Sequence, residues 1–475
     1  MGNTFTSVTF FNFTAAGYFL ALFTYIGNLV SKKPSLRRVA TVLAALGFLA
    51  QAGGLTLRWY ESGLVEVAAF ERAEGVTLTG WHWFAIFAQH PPWSNLYEIM
   101  VFMSYGLVLV FLVAEVKYRV QLVGLFGLTI ALIALGLASL TIDPTIKPLV
   151  PALQSWWIMI HVISSVVGYS AGTIAAVLGL FYLVKDRVPP NKMAMGYMIL
   201  TSAILLVQGR GLQLFTTGSY YAKLLREMGG EWIPVQRAIE GGEMKTYYHA
   251  MPGVGLLMIL AMLVCVGGSI YLWRIRNADT PSLQGVPRAI YLTAFGLLTA
   301  VVGTILYHDL SGAEVLPPPD VASKLMPPGP WRFHYAGNQW DMALFLVIWG
   351  PMLFGTVALL RPEGVRRLLP ETRKLDRANY ACVMIAFALV GVVLVTGALW
   401  AHYAWGRYWG WDPKETGALV IWFVYAIYLH ARVTYGWVGR PSAMIAVLGF
   451  FVILGGFLGV NLGWFADGLH SYGAA

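Results

Sequence analysis

Residues Trp400 to His430 read WAHYAWGRYWGWDPKETGALVIWFVYAIYLH, and the reading of this stretch decides the rest of the chain. Trp405, Tyr408, Trp409 and Trp411 put three tryptophans and a tyrosine into the eight residues that end at Asp412. Long apolar runs flank this turn on both sides, so it belongs at a membrane surface. Indole and phenol rings offer broad apolar faces with one polar edge, which suits a large planar ligand with a polar rim. Trp and Tyr also collect at membrane interfaces as a belt. A belt accounts for some of these rings, but not for their crowding into one short turn.

The residues after the tryptophans spell a helix start. Asp412, Pro413 and Glu415 occupy the N-cap, first helical and third helical positions of a capping box. The helix continues through LVIWFVYAIYLH and reaches His430, 17 residues beyond Pro413. At ~1.5 Å per residue that is about 26 Å, close to the ~30 Å depth of a hydrocarbon core. The aromatic turn and His430 therefore belong near opposite membrane faces.

Working outward, the chain has 475 residues, 58% hydrophobic and 12% charged, with a mean hydropathy of +0.65. Soluble domains carry about 25% charged residues, so an all-α polytopic membrane protein is expected. Twelve runs are long enough to cross, near 14–31, 39–57, 97–115, 121–141, 156–184, 193–208, 250–273, 289–307, 341–360, 378–400, 417–431 and 442–463. Alternate connections (32–38, 116–120, 185–192, 274–288, 361–377 and 432–440) hold 20 of the 32 lysines and arginines. The positive-inside rule then puts both termini and the aromatic turn outside. The net charge of +9 reflects these basic loops facing anionic lipid, with no call for nucleic acid. Cys265 and Cys382 lie in apolar runs without a CxxC, so no thiol-exchange pair is expected. The first basic residues follow the first apolar run, which argues for a retained helix over a cleaved signal peptide.

Eight histidines fall outside in this topology, and only His430 lies at a cytoplasmic end. A short interfacial helix is expected around Trp81–Phe87. Asn95 and Glu98 form a second capping box in PPWSNLYE, and His90 beside it reads as a polar loop residue. His161 sits about one turn inside the helix that starts at Trp156. An ionisable side chain at that depth is a functional candidate by default. His470 lies beyond the last run, in LHSYG.

WGRYWGWD followed by PKET, with PPWSNLYE, the His161 segment IMIHV and the terminal LHSYG, resembles the tryptophan-rich WWD family of haem-handling membrane proteins. The PKET and IYLHAR segments favour its CcsA (ResC) branch, the membrane core of the system II cytochrome c synthetase. The resemblance implies that haem b is the bound ligand and substrate. It implies that His161 and His470 are the axial ligands of an external haem. The platform between them would be Trp405, Tyr408, Trp409 and Trp411, beside Asp412 and Arg407. It makes His430 a ligand of a transmembrane haem that arrives from the cytoplasmic side. It further implies a CcsB (ResB)-type partner, without which no cytochrome c haem lyase activity is expected, and apocytochrome c CxxCH motifs as acceptors. Localisation would be the cytoplasmic membrane, or the thylakoid membrane in a plastid.

Asp412 reads as a helix cap more than as an acid. Arg407 and Lys414 suit either haem propionates or lipid headgroups. The expected division is 1–185 for the N-terminal part of the core, 186–377 for an inserted four-helix region with two external loops, and 378–475 for the WWD module. Other classes remain open: a haem exporter or chaperone without ligation activity, a di-haem electron-transfer subunit, and a WWD-derived scaffold. A di-haem carrier wants histidine pairs at both membrane faces, and a single inner histidine weighs against it.

Overall fold

The computed structural model describes residues 6–461 except 32, 89, 121, 142–143, 150–153, 210–212, 229–230, 239–243, 279, 312–332 and 337–338. His470 lies outside the described residues. The chain is a polytopic α-helical membrane protein with a small antiparallel sheet. Among the described residues, ten helices are long and apolar enough to cross a membrane, and Ile348–Leu360 and Arg440–Gly456 are shorter apolar helical segments. Each of the twelve runs expected from the sequence overlaps one of these.

In order, the helices are α1 Ser7–Ser31, α2 Pro34–Glu74, α3 Gly80–Ala88, α4 Leu96–Tyr118, α5 Leu122–Thr141, α6 Trp156–Lys185, α7 Pro190–Gln208 and α8 Gln213–Thr217. Then come α9 Val254–Arg274, α10 Gly285–Ser311, α11 Gln339–Leu360, α12 Pro362–Leu368, α13 Thr372–Trp405, α14 Pro413–Thr434 and α15 Arg440–Asn461. Two compact units form, one from Met1–Arg187 with Arg366–Ala475 and the other from Val188–Val365.

In the first unit α6 is the central post. Residues Ser170 to Gly179 are all buried, and a helix that is buried all round must sit among other helices. Its small residues let α13 and α15 approach closely, the usual packing mode in lipid. Asn379 Nδ2 donates to the Ala175 carbonyl at 2.6 Å, and Tyr428 donates to Asn379 Oδ1 at 2.6 Å. At the basic end, Arg432 grips Asp376 with two bonds of 2.9 and 2.5 Å.

Helix α2 runs 17 residues beyond its apolar stretch, which was expected to end near 57. Gln51, Arg58, Ser62 and Glu66 are all buried along it, and the spacing of four from Arg58 to Glu66 keeps these three on one face. Arg58 Nε donates to Glu98 Oε1 at 2.9 Å, and its Nη2 to the Pro144 carbonyl at 2.6 Å. The helix thus continues because the charged members of this stripe, Arg58 and Glu66, find buried partners, and it stops at Gly75, where φ is +67°. The short interfacial helix appears as α3.

The expected second capping box forms only in part. The Asn95 side chain accepts from Glu98 N at 3.0 Å. The Glu98 carboxylate turns instead to Ser94 N at 2.8 Å and to Arg58. A buried guanidinium outcompetes the backbone N–H that a free helix would offer.

The second unit contains α7, α9, α10 and α11, with strands where external loops are expected from the sequence. Strand β1 (Tyr220–Met228) pairs antiparallel with β2 (Glu231–Pro234), β5 (Tyr248–Met251) and β6 (Phe333–Ala336), while β3 (Gln236–Ala238) pairs with β4 (Met244–Thr246). Tyr220, Ala222 and Leu224 are buried and the residues between them are not, the period of two that a half-buried strand requires. The Tyr335 hydroxyl donates to the Ala250 carbonyl at 3.0 Å, and burial raises its phenol above the usual range. His249 lies parallel to the Tyr335 ring and His308 meets it edge-on.

Candidate functional site

The aromatic turn is anchored by the start of α14. Asp412 Oδ1 accepts from Lys414 N at 3.0 Å, and the capping box with Glu415 is complete. Glu415 Oε2 also accepts from Gly410 N at 2.8 Å and Asp412 N at 3.1 Å. One carboxylate therefore gathers two backbone N–H groups of the turn and fixes its path. The turn leaves α13 at Gly406, with φ of +70°, and enters α14 through Trp411, with φ of +58°.

Beneath the turn is a cavity of about 260 Å³, walled by α4, α6, α13 and α14. Ile99, Met103, Ile158, Val162 and Leu394 make much of its wall apolar. His161 enters from α6, with Ser165 and Tyr169 one and two turns further along the same helix. Tyr408, Trp409, Lys414 and Glu415 line it from the turn and the first turn of α14. His161 Nδ1 lies 3.0 Å from the Val393 carbonyl, and the Trp400 ring is 5.9 Å away, centroid to centroid. Such a chamber suits a mostly apolar guest that takes one imidazole ligand and has a charged edge near Lys414.

The expected site residues divide by location. His161, Tyr408 and Trp409 line the cavity. Trp405 packs on Trp400, centroids 5.2 Å apart, and against the cluster that includes Ile158 and Val162. Trp411 stands outside, 71% exposed, and meets Trp409 edge-to-face at 5.7 Å. Asp412 is buried as the cap. Arg407 is exposed and folds over Gly410, in the space a side chain there would need. His430 lies far down α14 on an exposed face, with Nδ1 3.4 Å from Thr434 Oγ1. His470 is outside the described residues.

His90 is fully buried, with Nδ1 3.1 Å from Glu66 Oε2 and Nε2 3.2 Å from Ser94 Oγ. Both its ring nitrogens are engaged, as a buried polar side chain requires. Other lining residues carry no local sequence signal as strong as that of the aromatic turn. Trp93, inside PPWSNLYE, and Tyr169, eight residues after His161, both reach the cavity. The eight-residue spacing, two helical turns on one face, was the available signal for Tyr169.

Comparisons with known proteins bear on the family of the chain. The "Cytochrome c biogenesis protein CcsA" of Nostoc sp. (strain PCC 7120) is 28% identical over 466 residues, covering 97% of this chain and 96% of that protein. The protein of the same name from Nostoc punctiforme is 30% identical over 401 residues, covering 84% of each. A solved structure titled "Cytochrome c Heme Lyase CcmF" aligns with a TM-score of 0.32 and 15% identity, over 99% of this chain and 74% of that one. The model of the family described as "Cytochrome C assembly protein" matches residues 93–233 and 261–466. With most of its length inside that match, the chain belongs to the cytochrome c assembly protein family.

Proposed function

We propose that the chain is the membrane core of a cytochrome c synthetase, binding haem b in the cavity beneath the aromatic turn. The observation that carries this reading is the convergence of His161, Tyr408, Trp409 and Lys414 on one largely apolar chamber. His161 would supply one axial imidazole and His470 the other, and two imidazoles fill the iron's coordination sphere. Trp409 and Tyr408 would lie against the macrocycle, with Lys414 near a propionate. Trp405 acts from behind, by holding Trp400 and the cavity wall. Asp412 and Glu415 shape the turn, and Arg407 and Trp411 face the outer surface where a polypeptide arrives.

The acceptor is an apocytochrome c CxxCH segment. Each thiol adds across one vinyl group: sulfur bonds to one carbon, the proton goes to the other, and a thioether results. The protein's own share is placement and orientation. A CcsB-type membrane partner completes the enzyme. His430, on an exposed face of α14, would receive haem with that partner on its way across the membrane. The aromatic turn and both termini lie on the external side of a cytoplasmic membrane, or the lumenal side of a thylakoid. Residues 186–377 form an added module on a core made of 1–185 and 378–475.

The test is the absorption spectrum of the purified chain, with and without its partner. Low-spin bands of bis-imidazole haem are expected. In His161→Gly the haem should become high-spin, and added imidazole should return it to low-spin. A chain that never carries haem in either preparation overturns the reading. Thioether formation on a CxxCH substrate by the two-component complex separates a synthetase from a haem exporter.

A further inference from the structure

The His161 ring is oriented by backbone at Nδ1. That nitrogen lies 3.0 Å from the carbonyl oxygen of Val393 in α13. A carbonyl only accepts, so Nδ1 carries the proton and Nε2 is the basic nitrogen of the neutral ring. A carbonyl has two lone pairs, so α13 keeps its own ladder bond while it receives this one. So close an approach needs a missing side chain one turn along. A Cβ at Gly397 would stand 2.9 Å from His161 Cε1 and 3.0 Å from Nδ1. Real Cβ atoms almost never tolerate such contacts, and neither the ring nor the backbone of α6 is the pliable end of a long chain. Val393 and Gly397 both line the cavity that His161 enters.

We propose that the Val393 carbonyl and Gly397 are positioning groups for iron: the carbonyl sets His161 as the Nδ1–H tautomer with Nε2 as the coordinating nitrogen, and Gly397 supplies the space that orientation requires. This rests on the reading of the cavity as a haem site. A hydrogen bond from the far nitrogen of a ligating imidazole fixes its plane and raises its basicity. Here a main-chain oxygen, that of Val393, provides it. The device also explains a glycine that no turn or left-handed backbone demands, since Gly397 is helical.

Two measurements test it, and the first requires no haem. In haem-free protein labelled with 15N-histidine, the His161 signals are identified by their loss in His161→Gln. Under conditions where the ring is neutral, a protonated Nδ1 and an unprotonated Nε2 are expected. The opposite tautomer overturns the proposal. The second uses the haem-loaded full chain with its partner. Gly397→Ala should lower retained haem severalfold, leave a high-spin fraction that added imidazole converts back, and keep normal membrane accumulation. A low-spin spectrum identical to that of the unaltered chain overturns the role of Gly397. If the unaltered chain shows the expected tautomer yet never carries haem, the haem reading fails and iron fails with it as the ligand of Nε2. The two failures are therefore distinguishable.

Discussion

Trp411 keeps a left-handed backbone at φ +58°, a region that costs a non-glycine residue about 1 kcal/mol. The surrounding bonds explain why it stays there. Glu415 Oε2 pulls in both Gly410 N and Asp412 N, and only a reversed residue between them lets both N–H groups converge on one oxygen. The three tryptophans then have separate places, which their spacing alone could not reveal: Trp405 is half-buried against the core cluster, Trp409 lines the cavity, and Trp411 faces out. Trp409→Ala should therefore cost several times more retained haem than Trp411→Ala, measured as haem per protein after purification. Equal losses would place the outer ring on the haem as well. Glu415→Ala should act through the turn by removing two charge-assisted bonds, about 3 kcal/mol or more together. It should show as a lowered melting temperature even in haem-free protein. Asp412→Ala should lose only the cap, about 1 kcal/mol.

At the scale of the element, helix starts and apolar runs were legible, and the ends set by tertiary partners were not. The α14 capping box is local, four consecutive residues from Asp412 to Glu415, so the sequence could state it in full. Helix α2 is the opposite case. Its continuation to Glu74 depends on Arg58 finding Glu98, which lies 40 residues away, and on Glu66 accepting from Leu149 N at 2.9 Å. Strand β1 needed β6, about 110 residues later, before its alternation became a sheet. His161 was legible as a candidate from its depth in an apolar helix, but its acceptor, Val393, is 232 residues away. The Arg58–Glu98 pair has side chains 3% and 1% exposed. Removing one partner of such a pair strands a buried charge and typically costs 3–5 kcal/mol. Arg58→Ala should thus sharply reduce membrane accumulation and bend the path of PPWSNLYE. Replacing both partners by apolar residues should recover much of the loss. A double variant as poor as the single one would show that Arg58 serves through the Pro144 carbonyl instead.

At the scale of the molecule, charge and helix length together frame the proposed haem route across the membrane. Helix α14 is unbroken from Pro413 to Thr434, so one rigid element carries the aromatic turn at its start and His430 about 26 Å further on, at ~1.5 Å per residue. That separation prevents one haem from touching both the cavity and His430. The proposed function therefore needs two positions joined by a transfer step, and on it variants at the two ends should differ in kind. His161→Gly opens a coordination place on haem already bound, so its haem should remain in part and change spin state. His430→Gly interrupts arrival, so the external cavity should be empty and its residual haem low-spin. Imidazole should restore the spectrum in the first variant and the occupancy in the second. The sidedness behind this scheme has its own check: a reporter fused after Pro190 should face the cytoplasm, and one within 209–249 the outside. A reporter in 209–249 facing inward would remove the topology on which an external cavity depends. With the topology intact, His430→Gly that keeps full external haem and activity would reduce His430 to a polar residue on an exposed helix face, and haem would have to enter the cavity from its own side.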